Sequence, residues 1–316
     1  MVTPERALAT VGYSVPEVQE LLGSLLDDGD AYLVGSLAAG LGNTTSDVDI
    51  HLVGDEPVTG SAPTMFFLGE TVVDVVLIDR NDIDRLVRAL PSEWVPLAGG
   101  ICALGPAPSR KAQSRLGRWC TAVALTEASP PLIPADAAAV AASARGAVDE
   151  LAQALAIAHL IDARSEDVGV RGGGWRAAGC ALLEVAVRAR GSVFVGPKWL
   201  WSKAISIGLD EELLRRVGGV RTADTFRSAA AELGVPDLDP FELVQLRPSD
   251  SIEPVDVNSR PFILVNDQHL LDADLHVSGN LGDEVDRVGP DSVLTAIALG
   301  AATLLANDPA LDEALR

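Results

Sequence analysis

Apolar and polar positions alternate with changing period along the first ninety residues, and each change marks an element. From Val15 to Leu26 (VPEVQELLGSLL) apolar residues recur at helical spacing, and Ser14 with Pro16 supplies a cap and first turn. AYLVG (31–35) is a short apolar run closed by glycine and reads as a buried strand. DVDIHLV (47–53) alternates, so period two sends Asp47, Asp49 and His51 to one face and Val48, Ile50 and Leu52 to the core. TMFFLGETVVDVVLID (64–79) reads as two strands joined by a tight turn at Gly69 and Glu70. NDIDRLVRAL (81–90) reads as a helix with Asn81 or Asp82 at its N-terminus.

Residues 96–110 are dense in glycine and proline and read as a linker. Beyond it, stretches at 111–126, 135–163, 175–190, 198–208, 210–217 and 222–233 are rich in alanine and leucine at helical spacing. A short β-like piece, 260–277, precedes an alanine-rich helix expected at 290–306, and loops 165–174 and 246–259 are the expected mobile regions. The fold class is therefore an α/β domain with a small mixed sheet and flanking helices over 1–105. A mainly helical domain with a short β piece near its C-terminus follows over 106–316 and is expected to cover the substrate or nucleotide.

Composition narrows the function classes. A chain of 316 residues can bury two ordinary cores. It holds no apolar run of spanning length, and its first residues have neither a basic region nor a continuous apolar segment, so a cytoplasmic protein without membrane contact is expected. Cys102, Cys120 and Cys180 are widely spaced and read as core thiols. The net charge of −21 disfavours a nucleic-acid partner. Residues 1–105 carry sixteen acids and four bases, so a polyphosphate bound there needs metal ions or cations from the second half.

One stretch turns that charge into chemistry. In YLVGSLAAGLGNTTSDVDIHLV (32–53) a strand delivers the chain to Gly35 and Ser36, where glycine admits a ligand to the backbone and the hydroxyl can hold phosphate oxygens. Asp47 and Asp49 then project from one strand edge, where they repel each other unless they share a hard cation. Asp74 lies mid-strand between Val73 and Val75, and a lone carboxylate there is costly unless paired or metal-bound. Three converging carboxylates are the arrangement that two-metal phosphoryl transfer requires.

These residues, over about 15–90, resemble the core of the DNA polymerase β type nucleotidyltransferase superfamily, in the manner of its small-molecule and antibiotic-modifying members. The resemblance matches Gly35 and Ser36 to the nucleotide-phosphate contacts, Gly40 to a frequent next glycine, and Ser46 to the serine that precedes the acid pair. It implies that Asp47, Asp49 and Asp74 are catalytic and bind metal, two Mg²⁺ ions in all, with Asp74 drawing the proton from the attacking hydroxyl. It also implies transfer of a nucleoside monophosphate, AMP from ATP, to a hydroxyl of a small molecule or protein, with release of pyrophosphate. The acid-lined cleft points to a cationic small molecule among acceptors. A template-independent RNA-tailing or oligonucleotide-synthesising enzyme is one alternative, and a non-catalytic nucleotide-binding module is another.

The missing cations have two sources. GPKWLWSKA (196–204) places Lys198 and Lys203 near a helix start and resembles the lysine-bearing helix that such enzymes direct at the triphosphate. RKAQSRLGR sets Lys111, Arg115 and Arg118 on one helical face. Trp199 and Trp201 read as bundle packing before base stacking, and His51 as a residue with a structural partner beside the acids. VRGGGWR (170–176) lacks a phosphate-loop ending and reads as a flexible loop. His269, Asp272, Asp274 and His276 fit no metal spacing.

Overall fold

The computed structural model describes residues 2–27, 29–55, 64–126, 129, 132–250, 252–257, 260–266, 269–272 and 278–316. The chain opens with α1 (Pro4–Ala9), absent from the sequence expectation, and α2 (Val15–Leu22), on which Ser14 and Glu17 form a capping box. α2 is shorter than expected because the chain continues as a 3-10 turn from Gly23 to Asp27. β1 (Asp30–Val34), the short α3 (Gly35–Ala38), β2 (Val48–Gly54), β3 (Thr64–Leu68), β4 (Thr71–Asp79) and α4 (Arg80–Arg88) follow. Gly69 takes φ +60° in the two-residue turn between β3 and β4, as the hairpin reading requires. The cap of α4 is Asp79, whose carboxylate accepts the Asn81 N–H, and neither Asn81 nor Asp82. Asp79 both ends the strand and starts the helix, so the boundary falls earlier than the polar run suggests.

The strands form a mixed sheet in the order β3-β4-β2-β1-β7, where β7 (Val123–Ala124) follows α5 (Arg110–Cys120). Among the described residues only β2 and β4 run parallel. One face buries Leu33, Val48, Ile50, Val73 and Val75 against α1, α2 and α3. The other buries Tyr32, Val34, Val53 and Ile78 against Leu116 and Trp119 of α5 and against the start of α6 (Ala137–Arg164). Period two therefore builds two cores, one on each side of the sheet.

The expected linker is instead partly a hairpin. β5 (Trp94–Leu97) and β6 (Gly100–Ala103) precede α5 and pack Leu97, Ala98 and Cys102 into the helical core. A Cβ on Gly100 would stand 1.6 Å from the Ala189 carbonyl oxygen, so the glycine permits that contact. The sheet likewise borrows β7 from beyond residue 105, so the α/β and helical parts interlock across that point.

α6 packs along α7 (Val168–Ala189), flanked by α8 (Leu200–Ser206), α9 (Glu211–Gly218) and α10 (Ala223–Leu233). The glycine run at 172–174 lies inside α7 and is not a flexible loop. A Cβ on Gly174 would come to 3.3 Å from the Ala158 Cα, and one on Gly172 to 3.2 Å from the Arg221 side chain. Small residues there bring the two long helices together.

α11 (Pro240–Leu243) leads into β8 (Val244–Pro248), β9 (Ile252–Val257), β10 (Arg260–Val265), β11 (His269–Asp272) and β12 (Gly279–Asn280). α12 (Leu281–Val288), α13 (Pro290–Ala298), β13 (Ala302–Ala306) and α14 (Asp308–Leu315) complete the chain. The expected loop at 246–259 is mostly strand, and the expected helix at 290–306 ends at Ala298 because residues 302–306 pair with β8. Asp274 and His276 lie outside the described residues. Of the three cysteines, all without disulfides, Cys102 is buried and Cys120 and Cys180 are half-buried.

α14 is clasped to the interlocked region. The fully buried Arg145 of α6 donates from Nη2 to Asp308 at 2.7 Å and from Nη1 to Asp312 at 2.8 Å. Asp312 also accepts the Gly105 N–H at 2.9 Å.

Candidate active site

The site forms where β1 ends and β2 begins. Gly35 takes φ +75°, and a Cβ on it would stand 2.1 Å from Asp49 Oδ2. The carboxylate thus lies over bare backbone. The Ser36 carbonyl closes the following loop by accepting the N–H groups of Leu41 and Gly42, each at 2.9 Å, and Gly40 turns the chain at φ +71°. Asn43 Oδ1 then accepts from the Thr45 N–H at 3.0 Å, and the Asn43 N–H donates to Ser46 Oγ at 3.0 Å. This polar turn hands the chain to Asp47. Asn43 was not singled out in the sequence, though its place in a run of small polar residues is a turn signal.

In the parallel pairing of β2 with β4, Asp49 and Asp74 are register partners. Strand spacing alone sets their backbones about 4.8 Å apart, with both side chains on one face. Asp47, two residues before Asp49 and exposed, projects to the same side. Burial pushes the Asp49 carboxyl above its usual range; Arg118 opposes that, Asp74 and Asp47 add to it, and Lys198 opposes it. Excess negative charge therefore faces the groove. Among the described residues no three acidic, histidine or cysteine side chains are gathered closely enough to enclose one ion as they stand. The three carboxylates share a face without closing on a point, because like charges repel and Asp49 is turned toward Gly35. Their donor chemistry suits a hard divalent cation.

A cavity of about 210 Å³ is lined by Ser36, Asn43, Thr45, Ser46, Asp47, Asp49, Lys198 and Trp199. Of the sequence-predicted phosphate contacts, Ser36 and Lys198 line it, Gly35 borders it under Asp49, and Ser46 lines it with its hydroxyl engaged by Asn43. The Lys198 ammonium rests 5.0 Å from the centroid of the Trp199 ring. The buried Trp199 Nε1 has no hydrogen-bond partner among the described residues. Trp201, by contrast, is partly exposed beside Gly218.

Lys203 is not at the site, contrary to the sequence expectation. It is fully buried, and its ammonium donates to both Glu184 oxygens at 2.7 and 2.8 Å and to the Phe194 carbonyl at 3.1 Å. Glu184 also accepts from Arg188, which reaches Gln113 of α5 at 2.8 Å. A buried ammonium needs such partners, and here they hold the segment that presents Lys198.

His51, next on the face after Asp49, is 4% exposed, and its Nδ1 accepts from Trp119 Nε1 at 3.0 Å. Burial, with Arg118 and Arg115 nearby, pushes its pKa down to about 4, so it stays neutral. This bond ties α5 to the strand that carries the acids and thereby sets Arg118 near Asp49. On the other flank, the edge strand pairs Met65 with Asp74, and Met65 and Phe67 are both more than 60% exposed (63% and 65%).

Among the described residues no helix is long and apolar enough to cross a membrane. No curated protein matches the chain. Residues 15–90, which hold Gly35, Ser36, Asp47, Asp49 and Asp74, match the family model described as a nucleotidyltransferase domain.

Proposed function

We propose that the protein transfers a nucleoside monophosphate, AMP from ATP, to a hydroxyl of a small molecule or protein and releases pyrophosphate. The observation that carries this reading is the register of β2 on β4, which sets Asp49 beside Asp74 next to the Gly35–Ser36 turn. Asp47, Asp49 and Asp74 would hold Mg²⁺, two ions in this reading, which would supply charge neutralisation to the triphosphate and acidify the acceptor hydroxyl.

The chain's own residues do the rest. Gly35, without a Cβ, lets the Asp49 carboxylate lie against the turn that presents the phosphate seat, and the Ser36 hydroxyl holds a phosphate oxygen. Lys198 leaves its seat on the Trp199 ring to pair with the triphosphate, which replaces a weak cation–π contact by a charge-assisted one. A carboxylate oxygen of Asp74 takes the acceptor proton as the acceptor oxygen bonds to the α-phosphorus. The bond from that phosphorus to the bridging oxygen breaks, and pyrophosphate leaves with the electron pair. Met65 and Phe67 offer apolar surface on the Asp74 side, which suits a compact acceptor with an apolar body.

The test is incubation of the protein with Mg²⁺ and α-labelled nucleotides over a panel of hydroxyl-bearing small molecules and proteins. Label transfer with pyrophosphate release is expected, strongest with ATP. Transfer that survives Asp74→Ala overturns the role given to that carboxylate.

A further inference from the structure

The chain's charge is distributed against its average over α4 and α5. α4 and α5 together hold seven of the 24 lysines and arginines and only two of the 45 acids, while the whole chain carries −21. On α5 the cations Lys111, Arg115 and Arg118 share one face at i, i+4 and i+7 with no acid between them. Like charges at that spacing destabilise a helix.

The two helices enclose a cleft of about 360 Å³, lined by Asp82, Arg85 and Leu86 of α4 and by Ser109, Lys111 and Arg115 at the start of α5. Asp82 is the one carboxylate among the lining residues, and it is shared: Arg85 pairs with it from one side and Arg115, at 3.3 Å, from the other. Lys111 is exposed and makes no ion pair among the described residues. Three cations thus face one anion. The first turn of α5, capped by Ser109, adds the positive end of an eleven-residue helix.

We infer that the cleft between α4 and α5 is a binding site for a phosphate group, supplied either as the free ion or on a small phosphorylated molecule. Two unneutralised positive charges match a phosphate dianion, the unpaired Lys111 ammonium offers donors for its oxygens, and Leu86 supplies an apolar wall for an attached body. The cavity lies in the range of small-molecule sites and exceeds what a bare phosphate fills. It is separate from the triphosphate seat, which is built by Ser36 and Lys198, and it does not depend on the catalytic reading. Along α5 the step from Lys111 to Arg118, which faces Asp49, is about 10 Å at the helical rise.

The experiment is calorimetric titration of the full chain, without nucleotide and at low ionic strength, with inorganic phosphate, ribose 5-phosphate and, as control, ribose. Saturable binding of both phosphates and none of ribose is expected, weakening as sodium chloride rises. Tighter binding of the ester identifies a phosphorylated molecule as occupant, and equal affinity identifies the free ion. The double variant Arg85→Gln with Lys111→Gln changes two exposed side chains, and it should bind both at least tenfold more weakly with an unchanged melting temperature. Lys198→Gln should bind as the wild type does. The inference is overturned if neither phosphate saturates, if the double variant binds normally, or if Lys198→Gln is the variant that loses binding.

Discussion

Replacing Asp49 by asparagine should make the empty protein more stable and disable it at once. The side chain keeps its shape and loses a charge that the fold does not favour. As register partners on neighbouring strands Asp49 and Asp74 repel, and Arg118 and Lys198 offset only part of the cost of the buried charge. A net gain on the order of 1 kcal/mol remains, about 2–4 °C in melting temperature for a chain of this size. The sign follows from the raised Asp49 pKa. A carboxyl raised by folding contributes stability at low pH that is lost as pH rises through the folded value, so the advantage of asparagine is present at neutral pH and fades on acidification. Thermal melts of both proteins from pH 4 to 8, with and without Mg²⁺ and ATP, measure this. At a hundred times its dissociation constant the nucleotide should stabilise the wild type by about 2.7 kcal/mol and the variant by far less. A variant that melts below the wild type at pH 7.5, or gains as much from the nucleotide, would refute the reasoning.

Gly35→Ala should cost about 1–3 kcal/mol in urea unfolding, from the +75° φ and the contact with Asp49, and should abolish nucleotide binding. Lys203→Met should lose about 3 kcal/mol because Glu184 and Arg188 stay buried without it. Lys198→Gln, on an exposed residue, should leave unfolding within about 0.5 kcal/mol of the wild type while weakening ATP binding tenfold or more. His51 has a folded pKa of about 4, below its unfolded value, so its contribution is intact above pH 6.5 and is lost as pH falls toward 4. The difference in unfolding free energy between wild type and His51→Gln should therefore shrink by roughly 3 kcal/mol across that window, as measured by urea titration at each pH.

The part of the fold carrying the acids was legible because its signals are local. Period two put Asp47 and Asp49 on one face, the Gly69 turn fixed the hairpin, and a lone acid between valines marked Asp74. What escaped depends on partners far along the chain. Lys203 looks like any helical lysine until Glu184, nineteen residues away, closes on it in the core. Residues 302–306 have the composition of a helix and become a strand because β8 offers them a ladder. The glycines of α7 read as a loop, since nothing local shows that Ala158 will press against them. The Pro- and Gly-dense stretch before α5 read as a tether for the same reason, its packing surface being supplied by helices not yet in view.

The contacts of Arg145 have a consequence for how the chain comes together during synthesis. Its guanidinium sits near the front of a long helix, but Asp308 and Asp312 emerge from the ribosome more than 160 residues later, and Gly105 shares the second of them. Until that last helix arrives, a charge destined for the interior has nowhere to settle, and the joint around residue 105 stays unlatched. Shortened versions ending before residue 308 should thus be less stable around the Arg145 clasp, while the strand and helix packing that interlocks the two parts holds them together.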